Sequence, residues 1–301
     1  MYHNFLAPVF DYSDIAFRLL CQKYGADATC IPLVNALALV HNKHNPKKLA
    51  SIFPDSNEKE RNLGVQFVSS DAKTIAQASQ LILDSKPYVK WLNINCGCPS
   101  SRTMGCGGGS SLLDKPEIIA TIVSEMKNNT SLPVSVKMRI NKDPNQTIAL
   151  CKQIQDAGAD FLIVHGRTPN QAYSGKCDWD IIKLIKENIS IPVVGNGDIS
   201  SESHGSKLVN GGYCDSFMIC RAAMSNPMVF CNKIPKSLSE RVNLLREYIS
   251  FYEKYFGDSK LSDLRPKAIN FMNSLRGARE LRGKISQVKT IEELSELLDC
   301  V

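Results

Sequence analysis

No run of about 18 uninterrupted apolar residues occurs in the 301-residue chain, so no membrane-spanning helix is expected. The opening residues, Met1-Tyr2-His3-Asn4-Phe5-Leu6, lack a basic segment followed by a long apolar one. No secretory leader is expected, and the cytoplasm is the default compartment. Low-complexity tracts and internal repeats are missing, apart from a strand–helix rhythm. No Gly-x-Gly-x-x-Gly follows the first strand-like run, which counts against a doubly wound dinucleotide-binding sheet. Cysteine itself is plentiful, with eleven scattered copies, an odd number. What is missing is metal-site spacing. Cys96 and Cys98 are one residue apart, no second pair follows, and there is no His-x₃₋₅-His. No metal is expected. A reduced compartment also disfavours a disulfide framework, so most of these thiols read as small hydrophobes.

Apolar residues make up 43% of the chain and charged residues 22%, ordinary values for a globular protein with ample core. Short apolar runs rich in β-branched residues predict strands at 4–9, 28–33, 63–68, 89–95, 134–138, 161–165, 192–196 and 216–220. Helical spacing lies between them at 14–24, 71–84, 116–127, 145–157 and 179–188. Gly25, Gly158 and Gly212 stand where helix-terminating glycines belong, and Pro116 suits a first turn. Eight strands alternating with helices predict an α/β fold, a closed parallel (β/α)8 barrel of the TIM type. After Pro235 the pattern becomes all helical. Ser237 and Glu240 read as a capping box, and 291–298 as a final amphipathic helix. The expected organisation is a barrel domain over 1–235 and a smaller helical domain over 236–301.

In such a barrel the chemistry sits at the C-terminal ends of the strands. Polar residues gather at those ends here: Gln66 on strand 3, Asn93, Asn95 and Cys98 on and after strand 4, and Lys137 and Arg139 on strand 5. His165 and Arg167 follow on strand 6, Asn196-Gly197-Asp198 ends strand 7, and Cys220-Arg221 ends strand 8. Each alone has a structural explanation, but their recurrence at one end of successive strands does not. Gly195, Gly197 and Arg221 fit the phosphate site that this barrel class builds after strands 7 and 8. Lys137 suits a flavin or an enolate, and Gln66 and Asn95 suit the amide edge of a heterocycle.

Charge is uneven. Between Lys260 and Lys289 lie eight Lys or Arg against two acids, an excess equal to the +6 of the whole chain. That segment suits a polyanion or is a solvated helix face.

The residues Ala7-Pro8-Val9, Asn93-Ile94-Asn95-Cys96-Gly97-Cys98-Pro99 and Gly109-Ser110-Ser111-Leu112-Leu113 now bear on identity. So do Val136-Lys137-Met138-Arg139, Val164-His165-Gly166-Arg167-Thr168 and Asn196-Gly197-Asp198-Ile199. Together they resemble the tRNA-dihydrouridine synthases, from the N-terminus to about Met224. The resemblance implies FMN at the barrel mouth, a hydride from NADPH or NADH, and a uracil of tRNA as acceptor. It assigns Ala7, Pro8, Val9, Gln66, Asn95, Lys137, His165, Asn196, Gly197, Asp198, Cys220 and Arg221 to the cofactor and Cys98 to catalysis. Asn93, Arg139, Arg167, Lys267, Arg276, Arg279 and Arg282 are the expected substrate and tRNA contacts. Cys220 departs from the glycine usual there, Cys106 matches no family role, and 221–227 is similar to the eukaryotic branch acting on a D-loop uridine. A monomer is the favoured state.

Gly97 and Pro99 end strand 4 in a turn, which places Cys98 at the mouth and Cys96 in packing. Reducing the uracil 5,6-bond takes a hydride at C6 and a proton at C5. A thiol with a pKa of about 8.5 can give that proton as a general acid. Gly105 and Gly107 to Gly109 suggest a loop that closes over the base. Two rivals stand beside this reading. A dihydroorotate dehydrogenase-like barrel would share the flavin site without needing the basic tail. A non-catalytic RNA-binding barrel would not need Cys98 and Lys137.

Overall fold

The computed structural model describes residues 2–52, 55–257, 261–273 and 277–301. Its eight strands are β1 (Asn4–Leu6), β2 (Thr29–Asn35), β3 (Leu63–Val68), β4 (Trp91–Cys96), β5 (Val134–Arg139), β6 (Phe161–His165), β7 (Val193–Asn196) and β8 (Ser216–Ile219). All pairs are parallel, in the order β1-β8-β7-β6-β5-β4-β3-β2. A parallel bridge between Phe5 and Ala28 brings the β1 and β2 edges together. The expected barrel is therefore present and nearly closed.

The two-residue period of a strand decides which side chains meet inside. On β4, Leu92, Ile94 and Cys96 pack outward with the helices. Trp91, Asn93 and Asn95 therefore face the interior. By the same alternation Val134, Val136 and Met138 of β5 face out, and Ser135, Lys137 and Arg139 face in. Cys96 is fully buried in the outer layer, as its packing role required. The interior floor is aromatic. Phe5, Trp91 and Phe161 lie with ring centroids 5.6–6.0 Å apart. Gly64 makes room for them, since a Cβ there would come within 2.2 Å of the Trp91 ring. Aromatic filling below and polar residues above leave the barrel open at its C-terminal end.

The five expected inter-strand helices appear at Ile15–Lys23, Ala72–Ser85, Pro116–Asn129, Pro144–Asp156 and Trp179–Asn188. Gly25, Gly158 and Gly212 follow helices with φ of +106°, +99° and +75°. Shorter helices at Ala36–His41, Pro46–Ile52, Ser101–Gly105 and Arg221–Ser225 carry too few turns to show a periodic pattern in the sequence, and a further helix at Glu202–Asn210 was not expected.

Beyond Pro235 the described residues form helices Leu238–Phe256, Leu261–Phe271, Ala278–Ile285 and Ile291–Asp299. Ser237 Oγ caps the first by accepting from Glu240 N at 3.1 Å. The Glu240 carboxylate accepts instead from Lys236 N at 2.7 Å, one residue before the expected partner. One apolar core joins these helices to the barrel. It includes Phe17 and Leu20 of helix Ile15–Lys23, Ile219 of β8, and Leu245, Tyr248 and Phe271 of the tail. Asp14 is the polar tie. It caps helix Ile15–Lys23 by accepting from Phe17 N at 2.7 Å, and it accepts from Tyr248 Oη at 2.8 Å. No helix of the described residues is long and apolar enough to cross a membrane.

Candidate functional site

A cavity of about 550 Å³ occupies the open end of the barrel. Every strand but β2 contributes to it a residue singled out in the sequence. Ala7, Pro8 and Val9 come from the turn after β1, Gln66 from β3, Asn95 and Cys98 from β4 and its turn, and Lys137 and Arg139 from β5. His165, Asn196, Gly197, Asp198, Cys220 and Arg221 complete the wall. All twelve expected cofactor residues, together with Cys98, therefore face one space.

The wall is braced by side-chain amides. Asn95 Nδ2 donates to Gln66 Oε1 at 2.7 Å, and Gln66 Nε2 donates to Asn93 Oδ1 at 2.8 Å. Asn93 Nδ2 in turn donates to Ser135 Oγ at 2.7 Å. Each amide spends one donor on the next, so all three rotamers are fixed, and Gln66 keeps a free N–H and a lone pair. Asn95 has a second task. Its Oδ1 accepts from Gly97 N at 3.2 Å and Cys98 N at 3.0 Å, folding the turn that presents Cys98.

The Cys98 thiol donates to Ser100 Oγ at 3.5 Å and accepts from Thr103 Oγ1 at 3.3 Å. Burial pushes this thiol up. The Ser100 and Thr103 hydroxyls, the Ser100 backbone N–H and the Arg139 charge outweigh it, so the net pKa lies below the ordinary thiol value. The glycine run packs beneath this turn and does not form an open flap. Gly108 and Gly109 are buried, and Ser110 N donates to Cys98 O at 2.9 Å. Cys106 sits apart and exposed, with its sulfur 3.5 Å from Asn35 Nδ2.

Lys137 donates from Nζ to Asn196 Oδ1 at 3.1 Å, and Asn196 Nδ2 is anchored on Met218 O at 2.8 Å. Burial, helped by the Arg139 charge, brings the Lys137 pKa down to about 8. His165 is held far below the usual imidazole value, by burial first and then by Lys137, Arg139 and Arg167. It is neutral at physiological pH.

Asp198 organises the opposite wall. With φ at +56° after Gly197 at +126°, it turns its carboxylate onto two arginines. Arg167 Nη2 lies 2.8 Å away and Arg221 Nη2 2.6 Å away. Cys177 N donates to the same carboxylate at 2.9 Å. Burial opposes this charge, but the Cys177 N–H and the two guanidinium groups win, and the pKa falls below the usual carboxylate range. Arg221 also lies over the exposed Tyr173 ring, 5.7 Å from its centroid.

Several expected nucleic-acid contacts are placed elsewhere. Asn93 is completely buried behind Gln66 and does not reach the cavity. Arg167 is an internal strut, bonded to Ser174 O, Gly175 O and Asp198. Lys267 is 3% exposed and ion-paired with Asp14. Arg139 lines the cavity, but its guanidinium is engaged by the carbonyls of Gly97, Thr168 and Ala172. Arg279 is exposed, Arg282 donates to Met272 O at 3.0 Å, and Arg276 lies outside the described residues. Sequence reasoning missed Phe10, Leu33, Tyr173, Ile199, Met218 and Met224, which also line the cavity. Most of them are apolar, and only a strand-end register could have pointed to them. Among the described residues no three His, Cys, Asp or Glu gather as a metal cage.

Comparison with known proteins follows the same line. The family model described as dihydrouridine synthase (Dus) matches residues 5–301. A probable tRNA-dihydrouridine synthase of Aquifex aeolicus is 30% identical over 98% of this chain and 94% of its own. A tRNA-dihydrouridine(20a/20b) synthase [NAD(P)+]-like protein of Mus musculus is 36% identical over 74% of this chain and 68% of its own. Among solved structures, histamine dehydrogenase from Rhizobium sp. 4-9 shares the fold with a TM-score of 0.56 at 11% identity. That match covers 83% of this chain and about half, 49%, of the other.

Proposed function

The chain belongs to the dihydrouridine synthase family, and from that premise we propose that it reduces a uridine of tRNA to 5,6-dihydrouridine. One observation carries the reading: a cysteine thiol, a half-buried lysine and an arginine held on a carboxylate converge on a single cavity.

The donor set fits FMN. Arg221 and the backbone around Gly197 suit the phosphate, because guanidinium and exposed N–H groups both favour an anion. Ala7, Pro8 and Val9 offer an apolar edge, while Gln66, Asn95 and His165 offer hydrogen-bonding groups. Lys137 would face the electron-rich part of the ring system. When bound, the flavin would supply the hydride for uracil C6, recharged by NADPH or NADH.

The chain's own part is the proton. Cys98 stands at the mouth on a turn fixed by Asn95, and its thiol would protonate C5. The sulfur would then carry negative charge, and Thr103 Oγ1, already donating to it, would stabilise that charge. A pKa below the ordinary value eases release of the proton while lowering the protonated fraction as pH rises.

The barrel over 1–235 would do this chemistry, and the helices of 236–301 would hold the tRNA backbone through exposed cations such as Arg279. A D-loop uridine is the proposed target, in keeping with the relative named for positions 20a/20b. The site of action would be the cytoplasm and the working form a monomer.

The test is direct. Purified protein should carry a flavin spectrum that NADPH or NADH bleaches, and unmodified tRNA should restore it while gaining dihydrouridine. Restoration by free orotate and not by tRNA would assign the protein to the dihydroorotate dehydrogenase type instead.

A further inference from the structure

Among the described residues, three large apolar side chains besides Tyr173 are left exposed at the barrel mouth, one in the turn after β1 and two in the short helices Ala36–His41 and Ser101–Gly105. They are Phe10 after β1 at 45%, Leu37 after β2 at 62% and Met104 after β4 at 38%. The Asn35–Cys106 contact at 3.5 Å joins the ends of these two helices. β1 pairs with β8, so Phe10 stands next to the arginine-bearing wall of β6 to β8 and shares the cavity with Arg221.

Phe10 has a particular position. It lines the 550 Å³ cavity and also the adjoining cleft that leads toward the helical tail. The Arg102 guanidinium lies over its ring, 6.0 Å from the centroid. Arg139 and Arg167 are bound by internal oxygens, but Arg102 is exposed and no carboxylate of the described residues pairs with it.

We propose that Phe10, with Arg102 over it, is a stacking platform for an unpaired base that flanks the target uridine. The proposal rests on the function given above. A uridine seated in the cavity brings its covalent neighbours across this rim. A base drawn from its own stack loses that stacking, and an exposed ring beside the opening restores it for any base, since every base has a π-face. The arginine adds attraction for the neighbouring phosphate and a second planar face. An apolar protein partner would need a continuous patch, and the exposed Ser100 and Ser101 interrupt this one.

The experiment uses FMN-loaded full-length protein and an unmodified tRNA transcript whose reduced position has been mapped. Phe10→Ala should weaken binding roughly 5- to 150-fold, the worth of one base stacked on an aromatic ring. Phe10→Leu keeps apolar bulk and guards against a folding defect, and it should lose about as much. Phe10→Trp should stay within about twofold of wild type. A transcript with an abasic site beside the target should bind the wild type more weakly by the same factor, yet cost Phe10→Ala nothing further. Full affinity in both Phe10→Ala and Phe10→Leu, or losses that multiply, would overturn the platform. A wild-type protein that forms no dihydrouridine would overturn the function, and the platform with it. A silent Phe10→Ala beside an active wild type removes the platform alone.

Discussion

Gly109→Ala is a change of one methyl group that should disable a thiol eleven residues away in sequence. Gly109 has φ of +66°, and a Cβ built on it would lie 2.4 Å from Cys98 O and 2.8 Å from Thr103 Cγ2. Holding alanine in the left-handed region costs about 1–2 kcal/mol. The Cβ also forces apart the Ser110 N–H and the Cys98 carbonyl, a bond worth about 1 kcal/mol. Together these predict a loss of about 2–3 kcal/mol, seen as a fall in melting temperature of roughly 3–5 °C for a chain of this size. Turnover should suffer more than stability. A displacement of about 1 Å in a reacting group costs about 10²-fold, and the carbonyl that must move belongs to Cys98 itself. The assays are thermal unfolding and single-turnover oxidation of pre-reduced protein by tRNA. Gly105→Ala is the control, because nothing lies within 4 Å of its Cβ position and it sits in a helix. That variant should melt at or slightly above the wild-type temperature, alanine being favoured by about 1 kcal/mol in a helix. If Gly109→Ala behaves like Gly105→Ala in both assays, the packing of the glycine run against the Cys98 turn is not what positions the thiol.

Cys98→Ala should retain and reduce its flavin but slow tRNA turnover by about 10²–10⁴-fold, with Cys106→Ala close to wild type. In the wild type the tRNA step should fade as pH rises, with a midpoint lower than that of an unperturbed thiol, and a midpoint raised above the unperturbed one would contradict the stabilising contacts with Ser100 and Thr103. Lys137 has a folded-state pKa of about 8 against an ordinary 10.5, so the folded protein binds fewer protons between those values and gains stability with rising pH. Cofactor-free Lys137→Met should therefore be more resistant to urea than wild type below about pH 8, and the gap should close toward pH 10.5. An unchanging gap would mean the lysine is not penalised by burial. Arg279→Glu should weaken tRNA binding and flatten its salt dependence by about one charge. Lys267→Ala should instead lower stability, because it strands a carboxylate, and a flattened salt dependence at constant stability would refute its placement.

Strand phase was readable from the chain because burial writes it directly. Outward Leu92, Ile94 and Cys96 alternate with inward Trp91, Asn93 and Asn95, while the two thiols, which share a phase, are told apart by the Gly97 and Pro99 turn that ends the strand between them. What alternation cannot give is depth. Asn93 and Asn95 share a phase, yet one is sealed behind Gln66 and the other reaches the cavity. Nor does it give partners far away in sequence. Arg167 looked free until Asp198, 31 residues on, turned it inward. Lys267 counted toward a basic face, but its acid is 253 residues upstream. Apolar wall residues such as Leu33 and Met224 carried no chemical signal. Leu33 sits at φ of +45° where the β2–β3 register shifts, a local geometry that composition does not record.

The pairing of β1 with β8 has a consequence for how the chain reaches this state during synthesis. Asn4 lies beside Phe217 and Leu6 beside Ile219. At ribosomal rates of about 5–20 residues per second, the first strand waits roughly 10–40 s for its partner to be made. Throughout that interval one flank of β1 is an unpaired edge, with Phe5 and Leu6 uncovered. The face of helix Ile15–Lys23 that the tail later covers is bare for longer still. The nascent protein therefore passes through a long aggregation-prone window set by topology and not by final stability. Its yield in cells should respond to translation speed and to chaperones that hold exposed apolar segments, even in variants whose finished barrel is as stable as the wild type.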